Sequence, residues 1–201
     1  MTNNIFVFIG TSGVGKTFYS KHLEKKYGFK RVYAVTTRPV RPTNPDEYVH
    51  VTKPEFEKMV ENGEMLEYTE FSGNYYGRRK KDLIDSLMKH HVVIDMTTDR
   101  ISELKKQIPN AVVIHLSLPE PIIENTLARV KERNWSEAEI AKRLEVVQTE
   151  LKEIVKARAA GLVDHSITTI EGDPTGTLAL IDEVLLQYFL ENEKPKVIDS
   201  K

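Results

Sequence analysis

Between an apolar run, Ile5-Phe-Val-Phe-Ile9, and a stretch with apolar residues at helical spacing, Phe18 to Tyr27, lies Gly10-Thr-Ser-Gly-Val-Gly15-Lys16-Thr17. No other feature restricts the fold as much, because G-x-x-x-x-G-K-[ST] has its structural meaning only between a buried strand and a helix. Glycines let backbone N–H groups turn inward around phosphate oxygens, where Cβ atoms would intrude. The helix that follows adds the positive end of its dipole. In such a loop Gly10, Ser12, Gly13, Val14 and Gly15 wrap the phosphates of ATP. Lys16 reaches the β- and γ-phosphates, and Thr17 offers its hydroxyl to the Mg²⁺ that travels with the nucleotide. The expectation is a site for a nucleoside triphosphate.

Short β-rich apolar runs then alternate with longer helical patterns. Strands are expected at Ile5–Ile9, Arg31–Val35, Val92–Asp95, Ala111–Leu116 and His165–Ile170, and helices near 79–90, 98–107, 119–132, 136–158 and 174–192. Alternation of this kind predicts an α/β fold, a five-stranded, mostly parallel sheet with helices on both faces. Thr52-Lys-Pro-Glu55 and Ser136-Glu-Ala-Glu139 have capping-box spacing, and Gly63 suits the end of the first of these helices. After Ser136 the apolar residues Ile140, Leu144, Val147, Leu151 and Ile154 keep a helical period. Residues 36–77 break the alternation with basic turns, one short helix and an aromatic stretch. That is too much for a connecting loop and predicts a small subdomain facing the phosphate loop.

Charge and residue usage exclude several classes. Lys plus Arg number 29 against 30 Asp plus Glu, so there is no electrostatic case for nucleic acid or an anionic membrane. With no cysteine there is no disulfide framework and no thiolate metal or redox site. No apolar run approaches the ~18 residues of a membrane span, and Met-Thr-Asn-Asn is unlike a signal peptide, so a cytoplasmic protein is expected. His22, His90, His91, His115 and His165 show no metal-ligand spacing.

A second constellation is Thr36-Thr37-Arg38-Pro-Val-Arg41-Pro, two arginines three apart at a strand end, a pattern suited to bidentate phosphate binding or to ordinary solvation. Taken with GTSGVGKT, Asp46-Glu-Tyr48, FEKMVENGEMLEYTEFSGNYYG, Arg129-x-x-x-Arg133 and Ala141-Lys-Arg143-Leu, in that order, the chain resembles the guanylate kinase family over most of residues 5–155. The resemblance implies a P-loop NTPase core (1–35, 78–130 and 159–193), a subdomain for the nucleoside monophosphate (36–77), a lid (about 131–158) and a tail (194–201). It implies that Arg38, Arg41, Tyr48 and Tyr76 bind the acceptor's phosphate and that Glu67 sits under its base. Arg129, Arg133 and Arg143 match the arginines of the lid and its hinge, with Arg129 on the ATP side. Lys16, Arg38, Arg41, Arg133 and Arg143 would carry catalysis, and Asp95 would lie near the acceptor and hold Mg²⁺ through water.

The pattern departs at the acceptor base. Ala34 stands where a small hydroxyl residue is common, and Arg78 follows Gly77 where another hydroxyl is expected. Arg78 can pair with the O6 and N7 acceptors of guanine, or point to a phosphate or to solvent. Glu67 favours guanine, whose N1–H and N2–H₂ a carboxylate accepts together. The activity implied is transfer of the γ-phosphoryl of ATP to GMP or dGMP by a monomer or homodimer, without nucleic-acid or membrane partners. Another phosphorylated acceptor, or a non-catalytic binding module of the same fold, is the alternative.

Overall fold

A computed structural model describes residues 3–40, 48–71, 73–131 and 136–193. Ile5–Ile9 (β1) is buried along its whole length, and Lys16–Tyr27 (α1) follows the glycine-rich loop. Lys30–Arg31 (β2), Val92–Asp95 (β7), Val112–Ser117 (β8) and His165–Thr168 (β9) complete a sheet of order β2-β7-β1-β8-β9, every pairing parallel. The chain goes from β1 to one side and later returns to its other side at β8, so the crevice beyond the C-terminal end of β1 is where ligands of open α/β sheets bind. The phosphate loop occupies that end.

Alternation along β1 divides the core. Phe6 and Phe8 face a layer with Tyr19 and Leu23 of α1 and Ile181 and Leu185 of Pro174–Glu193 (α7). That layer is rich in rings: Phe6 stacks on Phe29 at 5.5 Å and meets Tyr188 edge-on at 5.6 Å. Ile5, Val7 and Ile9 face the opposite layer. There they meet Leu83 of Lys80–Leu87 (α3), Ile101 and Leu104 of Ile101–Gln107 (α4), and Ala157 of Glu137–Ala159 (α6). Among the described residues, the buried members of this second layer contain no aromatic residue.

A second sheet has the order β4-β3-β6-β5, from Val35–Thr36 (β3), Val49–His50 (β4), Met65–Phe71 (β5) and Asn74–Arg79 (β6). Lys53–Glu61 (α2) covers it, with Phe56 buried beside Val35 and Met65 and stacked on Tyr75 at 5.3 Å. Gly77 lies where β6 is tightest: an added Cβ would stand 2.6 Å from the Glu67 carbonyl oxygen and 2.8 Å from Tyr68 Cβ.

Both expected capping boxes form. Thr52 N–H donates to the Glu55 carboxylate at 2.7 Å, and Ser136 N–H to that of Glu139 at 2.8 Å. One expected strand does not survive. Arg31–Val35 divides into β2 of the first sheet and β3 of the second, because the chain leaves one sheet over residues 32–34 and enters the other. Apolar alternation reports burial, and it does not report which sheet provides it. The helix expected at 119–132 starts at Ile122 (α5, Ile122–Lys131), after Pro119 and Pro121. That expected at 98–107 opens as a 3₁₀ turn, Thr98–Arg100.

Candidate active site

The loop after β1 takes the shape its glycines permit. Gly10, Gly13 and Gly15 all have positive φ, and Gly15 in the left-handed region starts α1. A Cβ on Gly10 would strike the Leu116 carbonyl oxygen, which ties the loop closely to β8. Lys16 Nζ donates to the carbonyl oxygens of Gly10 at 2.7 Å and Thr11 at 3.2 Å. Its pKa lies below the ordinary lysine value, chiefly because the ammonium is desolvated. The positive charge of Arg143 adds to this, while the carboxylates of Glu150 and Asp95 act in the opposite direction. Thr17 is half-buried in the first turn of α1.

Two helices reach this loop. Arg129 of α5 donates to the Gly13 carbonyl oxygen at 3.2 Å. From α6, Arg143 is close enough for its charge to act on Lys16, and the Glu150 carboxylate accepts from the Ser12 backbone N–H at 3.0 Å. Glu150 was not among the residues expected at the site. Its signal was present, since Arg143, Val147 and Glu150 are spaced i, i+4, i+7 and so share a helix face, and Val147 is fully buried. A carboxylate here binds one of the backbone N–H groups with which such a loop holds an anion.

On the second sheet, the turn after β3 is fixed by Thr36, whose hydroxyl accepts from Arg38 N–H at 3.1 Å and donates to the Tyr75 carbonyl at 2.7 Å. The Arg38 guanidinium lies 4.8 Å from the centre of the Tyr48 ring, which meets Tyr76 edge-on at 5.7 Å. Three expected residues, Arg38, Tyr48 and Tyr76, thus form one half-buried group. Arg41 and Arg133 lie outside the described residues.

Glu67 and Arg78 are directly opposite across β5 and β6, beside a bulge, and both are buried, at 7% and 5% exposure. Arg78 Nη1 donates to Glu67 Oε1 at 2.9 Å, and Nε donates to the Val32 carbonyl at 3.4 Å. Nη2 donates to the Asp95 backbone oxygen and stands 3.8 Å from its carboxylate. Of the orientations open to Arg78 in the sequence, solvent is therefore excluded. Asp95, at the end of β7, links the two halves: its carboxylate acts on Lys16 as well as facing Arg78. The run of charges Lys16, Asp95, Arg78 and Glu67 joins the phosphate loop to the second sheet.

Among the described residues no cluster of three His, Asp or Glu side chains could by itself hold a metal, and no helix is long and apolar enough to cross a membrane. The Thr17 hydroxyl and the half-exposed Asp95 carboxylate are hard oxygen donors of the kind that share a Mg²⁺ with substrate phosphates and water, so they fit a nucleotide-borne ion.

The family model described as guanylate kinase matches residues 2–167. The guanylate kinase of Lactococcus lactis is 35% identical over 153 residues, 74% of this chain and 74% of that protein. That of onion yellows phytoplasma is 40% identical over 147 residues, 70% of this chain and 68% of its own length. Among solved structures, guanylate kinase from Anaplasma phagocytophilum superposes with a TM-score of 0.67, covering 93% of this chain and 86% of that one. At 23% identity that likeness speaks for the fold.

Proposed function

Because the chain belongs to the guanylate kinase family, we propose that it is a nucleoside monophosphate kinase whose Lys16 loop holds ATP and whose second sheet holds GMP or dGMP. The observation that carries this reading is the chain of charges from Lys16 through Asp95 and Arg78 to Glu67, which links the phosphate loop to a buried carboxylate of the second sheet.

Phosphoryl transfer of this kind depends on positioning and charge neutralisation, with no covalent enzyme intermediate. The acceptor's phosphate is the nucleophile and is already ionised at neutral pH, so no general base is required. Lys16 gives up its contacts with the Gly10 and Thr11 carbonyls for the β- and γ-phosphates. Arg38, with Tyr48 and Tyr76 beside it, holds the acceptor phosphate in line, and the resemblance implies the same task for Arg41. Arg129 and Arg143 approach the transferring group from the α5–α6 side, where they offset charge that grows between two anions, a role the resemblance implies for Arg133 as well. Thr17, and Asp95 through water, would hold the Mg²⁺ that enters with ATP, and the ion would supply charge neutralisation at the phosphates. Water competes with the acceptor as nucleophile, so closure of residues 131–158 and of the second sheet over the crevice is part of the mechanism. The division into core, acceptor subdomain and lid belongs to this same proposal, as does action in the cytoplasm without a nucleic-acid or membrane partner.

The test is coupled ADP release with ATP and Mg²⁺ across GMP, dGMP, AMP, CMP, UMP and dTMP. Turnover with GMP or dGMP is expected, with little for AMP, CMP, UMP or dTMP. ATP binding without turnover on any of the six would overturn the reading.

A further inference from the structure

From the Glu67–Arg78 pair we infer that the acceptor site selects 6-oxopurine nucleoside monophosphates as a class, reading the C6 carbonyl and N1–H of the base and not its 2-amino group. IMP and dIMP would then serve beside GMP. The inference rests on the proposed placement of the base against Glu67.

A carboxylate with both oxygens available accepts guanine's N1–H and N2–H₂ together, and that double contact separates guanine from hypoxanthine. Here Oε1 of Glu67 already accepts from Arg78 Nη1 at 2.9 Å. Buried on β6, the guanidinium cannot swing away without giving up its bonds to the Val32 and Asp95 carbonyls as well. Those three contacts use three of the five N–H donors of an arginine and leave two for a ligand. Oε1 keeps one lone pair engaged by Arg78, so on the proposed placement the uncommitted edge offered to the base is a donor beside an acceptor, an Arg78 N–H next to the second Glu67 oxygen.

That pattern complements a carbonyl adjacent to a ring N–H. Guanine and hypoxanthine both carry it as O6 and N1–H. Adenine carries the reverse, an amino group beside a bare ring nitrogen. Ala34, with a methyl group at the position where a hydroxyl was expected, adds no contact that would restore a check on the 2-position. Arg78 and Glu67 thus act as one dipolar reader across two strands.

Steady-state kcat/KM for GMP, IMP and AMP, with ATP and Mg²⁺ saturating, tests this on the unaltered protein. Expected values for IMP fall within about tenfold of GMP, with AMP lower than both by ~100-fold or more, since polar groups left unmatched in a buried site discriminate strongly. GMP turnover with IMP ~100-fold poorer would overturn the inference and leave the kinase reading intact. No turnover with either would overturn both. Arg78→Ser supplies a second readout: release of Glu67 should widen the GMP-to-IMP ratio at least tenfold, and an unchanged ratio in a folded variant would reduce Arg78 to a structural tie. Should Arg78→Ser fail to fold, the comparison on the unaltered protein alone decides the question.

Discussion

Glu150→Ala should tighten ATP binding, an unusual direction for removal of a residue beside a phosphate loop. The Glu150 carboxylate accepts from the Ser12 N–H at 3.0 Å and so holds one of the groups that ATP phosphates must use. A net hydrogen bond to a charged group contributes about 1.5–3 kcal/mol. Glu150 is half-exposed, and solvent screening lowers that to about 1–2 kcal/mol. Nucleotide must first displace this contact, so the apparent Kd is raised by the inverse of the fraction already released, about 5–30-fold. Removal of the carboxylate also takes away its repulsion of the incoming anion. Titration with ATP and Mg²⁺ in the absence of acceptor, by calorimetry, reads the effect directly, and Glu150→Gln should fall between the variant and the parent. Amide exchange at Ser12 should quicken in Glu150→Ala when nucleotide is absent. An unchanged or weaker ATP affinity in Glu150→Ala would refute the reasoning, since the carboxylate would then be an ally of bound nucleotide.

Lys16→Ala should lower kcat by ~10²-fold or more, the scale of one lost transition-state donor; near-parental turnover would remove Lys16 from the mechanism. His115, 6% exposed, has its pKa pulled down to about 4 by burial first and then by the charges of Arg158 and Lys16. The unfolded chain therefore binds that proton near pH 6.5 and the native one near 4, and stability drops as pH falls between the two, by about 3 kcal/mol at most. Urea midpoints of His115→Gln should lose this part of the slope, and curves parallel to the parent's would contradict it. Phe56→Ala should cost about 3–5 kcal/mol, felt as faster amide exchange in β5 and β6 ahead of β1; equal acceleration in both sheets would mean that the second sheet has no core of its own.

Much of the first sheet was legible because its central strands β1, β7 and β8 are buried almost throughout, and two helix starts are announced by capping boxes. β1 and β7 appear at the expected residues, and Thr52 and Ser136 cap as their spacing foretold. The division of Arg31–Val35 between two sheets was not legible, because four residues of apolar pattern carry no record of their partners. At the site, Lys16 and the glycines could be read from their motif, whose spacing is itself the geometry. Arg78 was legible as a candidate but not in its orientation, and Glu150 only as a member of the helix face it shares with Arg143 and Val147. Arg78 sits in a basic run where base, phosphate and solvent were all open to it, and only the pairing of β5 with β6 shows that it turns inward onto Glu67. Glu150 is an ordinary acidic residue of a long helix until the fold carries it 138 positions back along the chain to Ser12.

The unlike layers on either side of β1 have a consequence for folding itself. A strand buried on both faces has, by its hydrophobicity alone, no preferred side, and a slip of one residue would bury it equally well. Here a slip would drive Phe6 and Phe8 among Leu83, Ile101 and Leu104 and set Ile5, Val7 and Ile9 against rings shaped to meet rings. The slipped form would be overfilled on one side and hollow on the other, and each defect is destabilising. The strand therefore carries an error check written in side-chain volume. It disfavours the wrong registration, in which the phosphate loop that hangs from its end would be placed one residue out.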